Sequence, residues 1–246
     1  MIGRLLTAAL LSGVLAGVLI SVVHEFTTTP IILQAEQYEA RGASDQAVLM
    51  RSDEISGGRF YLAHDGEDHA EGEETWAPEN GLERTFFTTL SNVITGVAYA
   101  ALLVAAFYMR GQKMDGRTGV LWGVAGFVVF ALAPGMGLPP EVPGAMAAEV
   151  SARQTWWIFA AASTAAGLWL LFLTRHAVFN AVGVLLIALP HLVGAPFAPL
   201  GGNVPPELSA HFVAASLATA LVFWAMLGWL AGASYERFVL RTETDG

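Results

Sequence analysis

Pro190-His191-Leu192-Val193-Gly194-Ala195-Pro196 stands between two long apolar runs and leads through Gly201-Gly202 and Pro205-Pro206-Glu207 to His211. The stretch is rich in helix breakers and carries one histidine at each end. Pro190 has no backbone donor, so it kinks or ends a helix. Irregular backbone survives inside a bilayer only where protein covers it or water reaches it. A histidine there is costly to present to lipid, so His191 is expected to face the protein interior or an aqueous path. The chain then reads as an all-α integral membrane protein that brings several such breaks to one side of a bilayer.

Composition agrees. Of 246 residues, 54% are hydrophobic and 13% charged, against about 25% charged in soluble domains. The mean hydropathy is +0.54. The absence of cysteine excludes disulfides, thiolate metal sites and thiol nucleophiles. A net charge of -9 argues against nucleic acid, whose binders carry basic faces. There is no Gly-x-x-x-x-Gly-Lys-Ser/Thr loop for a nucleotide, and neither His-Glu-x-x-His nor Gly-x-Ser-x-Gly; the chain does not read as an enzyme.

Six apolar runs can be traced: Leu5 to Val23, then about Thr85 to Tyr108, Thr118 to Ala133, Thr155 to Leu173, Ala177 to Val193 and Phe212 to Ala231. Each approaches the length that spans about 30 Å of hydrocarbon at about 1.5 Å per residue. The first could be a cleaved leader, but it ends Ser21-Val22-Val23-His24, a poor cleavage site, so a retained helix is expected. The layout predicts about six transmembrane helices, paired in chain order as three hairpins of one polarity. They form a single transmembrane domain over residues 1–246, with one long extracytoplasmic loop at residues 24–84. Gly13 and Gly17 in the first run, Gly119, Gly123 and Gly126 in the third, and Gly228 and Gly232 in the last are spaced for close helix approach. Arg4, Arg110, Lys113, Arg117, Arg175, Arg237 and Arg241 all fall on one side. The positive-inside rule puts that side, with both termini, in the cytoplasm of a cell inner membrane.

Two segments resemble one another: Leu138-Pro139-Pro140-Glu141-Val142 and Val204-Pro205-Pro206-Glu207-Leu208. They read either as marks of a hairpin repeat or as common loop chemistry. In the long loop, Ile31 to Ala40 has helical character, and His64 to Glu74 holds six acids, two histidines and no base. Imidazole with carboxylate suits first-row divalent metals, but a charge run is also what a solvated loop carries.

A set of segments in order resembles the CbtA family, the predicted cobalt transporter subunits, over nearly the whole chain. The segments are Pro30-Ile31-Ile32-Leu33-Gln34-Ala35-Glu36, Gly81-Leu82-Glu83-Arg84-Thr85, Gly119 to Phe127, Ala133-Pro134 through Glu141, Ala152-Arg153-Gln154-Thr155-Trp156-Trp157, Pro190 to Pro196 and Phe223-Trp224. The resemblance implies a divalent-metal uptake subunit that carries cobalt, or nickel, and holds no tightly bound cofactor. It also implies a small single-span, histidine-bearing partner, CbtB. A membrane scaffold that binds another protein through its outer loop is the competing reading.

A transported cation needs ligands that strip part of its hydration shell without trapping it, which imidazole and carboxylate do. The candidates are His191 and His211 with Glu207 between them, His24 and Glu25 at the outer end of the first run, and Glu141 with Glu149 in the middle break. The expectation is that the interrupted outer ends gather these groups. Asn92, mid-way along the second run, reads as a ligand or as interhelical glue.

Overall fold

The computed structural model describes residues 1–56, 78–174, 176–197 and 202–240, with the side chains of 43–56 set aside. Eight α-helices follow in chain order: α1 (Ile2–Phe26), α2 (Thr28–Ser56), α3 (Leu82–Arg110), α4 (Gly116–Phe127), α5 (Ala133–Gly137), α6 (Val150–Leu173), α7 (Ala177–Val193) and α8 (Pro206–Tyr235). A π-helical turn, Val128–Leu132, joins α4 to α5, and a second, Glu236–Leu240, extends α8. No strand occurs among the described residues; Ala145 and Gly202 form an isolated antiparallel bridge. The acidic stretch 64–74, with His64 and His69, lies outside the described residues.

Among the described residues, five helical segments are long and apolar enough to cross a membrane: Ile2–Phe26, Leu82–Arg110, Gly116–Gly137, Val150–Leu173 and Pro206–Leu240. The fifth apolar run of the chain is the shorter helix Ala177–Val193, of 17 residues. The all-α membrane architecture is therefore as expected, with five long apolar segments and one shorter apolar helix among the described residues.

The pairing of the helices differs from the expected three consecutive hairpins. α1 packs on α3, as expected, but α4 packs on α8 and α6 on α7. Glycine decides the partners. A methyl group added at Gly13 or Gly17 would collide with the backbone of α3 at Val97 or Val93. Gly119 and Gly123 face the carbonyls of Gly228 and Trp224, and Gly167 faces the carbonyl of Gly183. Without a hydrophobic drive between helices in lipid, close van der Waals approach of this kind selects neighbours. The two Pro-Pro-Glu segments also differ: Pro139-Pro140-Glu141 lies in irregular chain, while Pro206 and Glu207 open α8.

The core sits among α1, α3, α4 and α8, around Phe107, Leu227, Trp224 and Tyr235. A smaller cluster joins Ile31 and Ala35 of α2 to Val142 and Leu208. It brings the breaks at Pro139-Pro140 and Pro205-Pro206 to the end of the bundle where α1 passes into α2, called here the loop face. The opposite end, the termini face, holds Ala8, Met114 and Val239 in the main core. The α6–α7 pair meets the rest chiefly through the π turn and α5.

Gly123→Ala is expected to lower the melting temperature of the detergent-solubilised chain, because overpacking costs about 1–3 kcal/mol. Gly3→Ala, whose added carbon meets nothing within 4 Å, is expected to leave it unchanged or raise it. Tryptophan-fluorescence melts compare the two.

Candidate functional site

A cavity of about 770 Å³ opens between α1, α2, α3 and α8. Its polar wall is one stripe of α3: Thr85, Thr88, Asn92, Thr95 and Tyr99. Steps of three and four residues put these side chains on a single helix face. α1 contributes His24 and Glu25, and α8 contributes Ser216 and Thr219. The chain turns sharply at Thr27, between α1 and α2, so that Thr28, Thr29 and Ile32 of α2 also line the space.

Hydrogen bonds tie this wall together. Thr85 Oγ1 donates to Glu25 Oε1 at 2.9 Å. Asn92 Nδ2 donates to Ser21 Oγ at 3.0 Å and stands 3.3 Å from His24 Nδ1. Arg84 pairs through both guanidinium arms with the Glu36 carboxylate, one bond being Nη1 to Oε2 at 3.2 Å. This pair fastens α2 to α3 at the rim and neutralises a cation beside the cavity.

Aromatic rings close the bottom. Tyr99 lies 4.6 Å from Trp224, ring centre to ring centre, and 5.2 Å from Phe130. Phe130 stacks on Trp224 at 5.5 Å with 4° between the planes. It comes from the π turn that precedes Pro134. Such turns widen a helix locally and are frequent at functional sites. Toward the termini face, Phe107 and Leu227 are fully buried.

The sequence-expected ligands do not all meet. His24 and Glu25 line the cavity. Glu141 instead lies in a second space of about 790 Å³, beside the π turn and α6, where Arg153 pairs with it at 3.2 Å. Glu149 caps α6: it accepts from the Ser151 hydroxyl and from the backbone N–H of Ser151 and Ala152. These bonds hold its carboxyl below the ordinary range. His191 lines neither space; its ring stands edge-on to Trp156 at 6.1 Å. Glu207 and His211 are exposed at the start of α8. The separation follows from the helix partners, since α7 packs on α6 and carries His191 away from α8. No group of three or more His, Cys, Asp or Glu stands together among the described residues. The threonine stripe of α3 was not singled out from the sequence, although its three-and-four spacing around Asn92 is readable there.

A family model described as "Probable cobalt transporter subunit (CbtA)" matches residues 2–236. The chain belongs to the CbtA family. No curated protein and no solved structure matches it. Membership of CbtA, with several apolar helices, makes it a multi-pass membrane protein and a subunit of a transporter. The match runs through every helix from α1 to α8, so the cavity wall belongs wholly to the CbtA region.

Half-exposed ion pairs are worth about 0.2–1 kcal/mol, so Glu36→Gln is expected to cost no more than about that in chemical unfolding. Phe107→Ala, at a fully buried ring, is expected to cost about 3–5 kcal/mol. Parallel denaturant titrations check the contrast.

Proposed function

We propose that the chain is the membrane-embedded subunit of a divalent-metal uptake transporter, and that the α1–α3–α8 cavity admits the ion. The observation that carries this reading is the polar stripe of α3 opposite His24 and Glu25, inside helices that are otherwise apolar. Polar and ionisable groups at membrane depth are costly, and they mark ion paths when they face a water-filled space. One imidazole and one carboxylate suit cobalt or nickel, and with so few charged ligands the ion keeps part of its water and leaves readily. Cobalt is the cargo favoured by the family description.

The cavity reaches to the loop face, where Pro78, Asn80 and Gly81 line it, and the aromatic floor and the core lie toward the termini face. With Arg4, Arg110, Lys113 and Arg117 at the other end, the positive-inside rule makes the loop face extracytoplasmic and the termini cytoplasmic. Ions then enter from outside. With no nucleotide loop in the sequence, the subunit works with a partner or down a gradient. The partner in this reading is the small single-span, histidine-bearing protein that the family resemblance implies.

The test is cobalt uptake by cells expressing the chain together with such a partner. His24→Ala and Glu25→Gln are each expected to reduce uptake on the order of tenfold, while His191→Ala, outside the cavity, keeps it. Uptake equal to wild type in both cavity variants overturns the proposal. If deletion of the acidic loop alone abolishes function, the chain acts as a scaffold instead.

A further inference from the structure

Asn92 joins α3 to α1 beside His24, in the wall of the cavity. Its Nδ2 lies 3.0 Å from Ser21 Oγ and 3.3 Å from His24 Nδ1. Ser21 donates its one hydroxyl hydrogen to the Gly17 carbonyl at 2.8 Å. Toward Asn92 it is therefore an acceptor, and the amide nitrogen is the atom that must face it. The same nitrogen stands 3.3 Å from His24 Nδ1, which accepts from it, and has a lone pair for a cation, in the tautomer that carries the ring proton on Nε2.

The spacing suits a metal. Two ligand atoms each about 2.1 Å from a first-row ion, at about 90–110° to one another, lie roughly 3.0–3.4 Å apart. The His24–Asn92 separation is within that range. We propose that Asn92 is a further ligand of the transported ion, beside His24. An ion held by both atoms lies off the line that joins them, so the amide turns over and the His24 ring tilts as the cation arrives, and Asn92 Oδ1 and His24 Nδ1 bind the ion together. Ser21 permits the exchange at little cost. Its hydroxyl turns from the Gly17 carbonyl to Asn92 Oδ1, and that carbonyl keeps its helical bond from the backbone N–H of Ser21. Release of the ion reverses both rotations. A neutral oxygen in place of a second carboxylate keeps the ion weakly held, as a carrier needs. This inference rests on the reading of His24 as a cation ligand.

The test is calorimetric titration of the purified full chain with cobalt ion alone, with the visible cobalt spectrum recorded in parallel. Asn92→Asp supplies the oxygen without a turnover and adds a charge, and is expected to tighten cobalt binding on the order of tenfold. Asn92→Leu is expected to weaken it by a similar factor. If both variants bind cobalt as wild type does, or both weaken only as far as they lose melting temperature, while His24→Ala loses binding, Asn92 is glue and the cavity reading stands. If His24→Ala binds as tightly as wild type, the cavity reading fails and this inference with it. Should Asn92→Leu not fold, Asn92→Asp decides alone: unchanged or weaker binding overturns the proposal.

Discussion

Where Gly119 and Gly123 of α4 lie against Gly228 and Trp224 of α8, no room remains for a methyl group, and the two helices meet backbone to backbone. The same contact recurs where α1 crosses α3 and where α6 crosses α7. In lipid, helices gain little from hiding apolar side chains from one another, so intimate approach and interhelical hydrogen bonds choose the neighbours. The architecture follows from that choice. α8 is drawn to α4 and α1, and α7 is drawn to α6.

The site follows in turn. With α1 held against α3 by Gly13 and Gly17, Asn92 comes within reach of Ser21 and His24. With α8 placed by α4, its Ser216 and Thr219 close the far side. Facing lipid, the Asn92 amide would lack partners, at a cost of a few kcal/mol; against α1 it bonds to Ser21, and Thr85 bonds to Glu25. The aromatic floor of Tyr99, Phe130 and Trp224 then separates this polar half from the apolar core toward the termini face.

Much of this was legible in the sequence. The helices came from long apolar runs, and the glycine spacings that select partners were visible. The hairpin order was not, because glycine spacings recur in several runs and do not themselves name a partner: the third apolar run pairs with the last, across two intervening apolar helices. The breaks at Pro139-Pro140 and Pro205-Pro206 do reach one face, but the histidines expected to gather there do not, and α7 runs on through Pro190 so that His191 lies within a helix. His191 stays with Trp156, and His211 is exposed. A charged or aromatic residue in a helix break draws attention in a sequence. A threonine every three or four positions in an apolar helix does not, since each one also reads as a residue bonding back to its own helix.

The most direct measurement uses the absence of native cysteine. Single cysteines at Thr88 and Thr95 in the cavity, and at Leu227 in the core, are exposed in membranes to a charged, water-soluble thiol reagent. The thiolate that reacts forms only where water is present. The account predicts rapid labelling at Thr88→Cys and Thr95→Cys, slowed by cobalt, and none at Leu227→Cys. Unlabelled cavity cysteines, or labelling that cobalt leaves untouched, would contradict it.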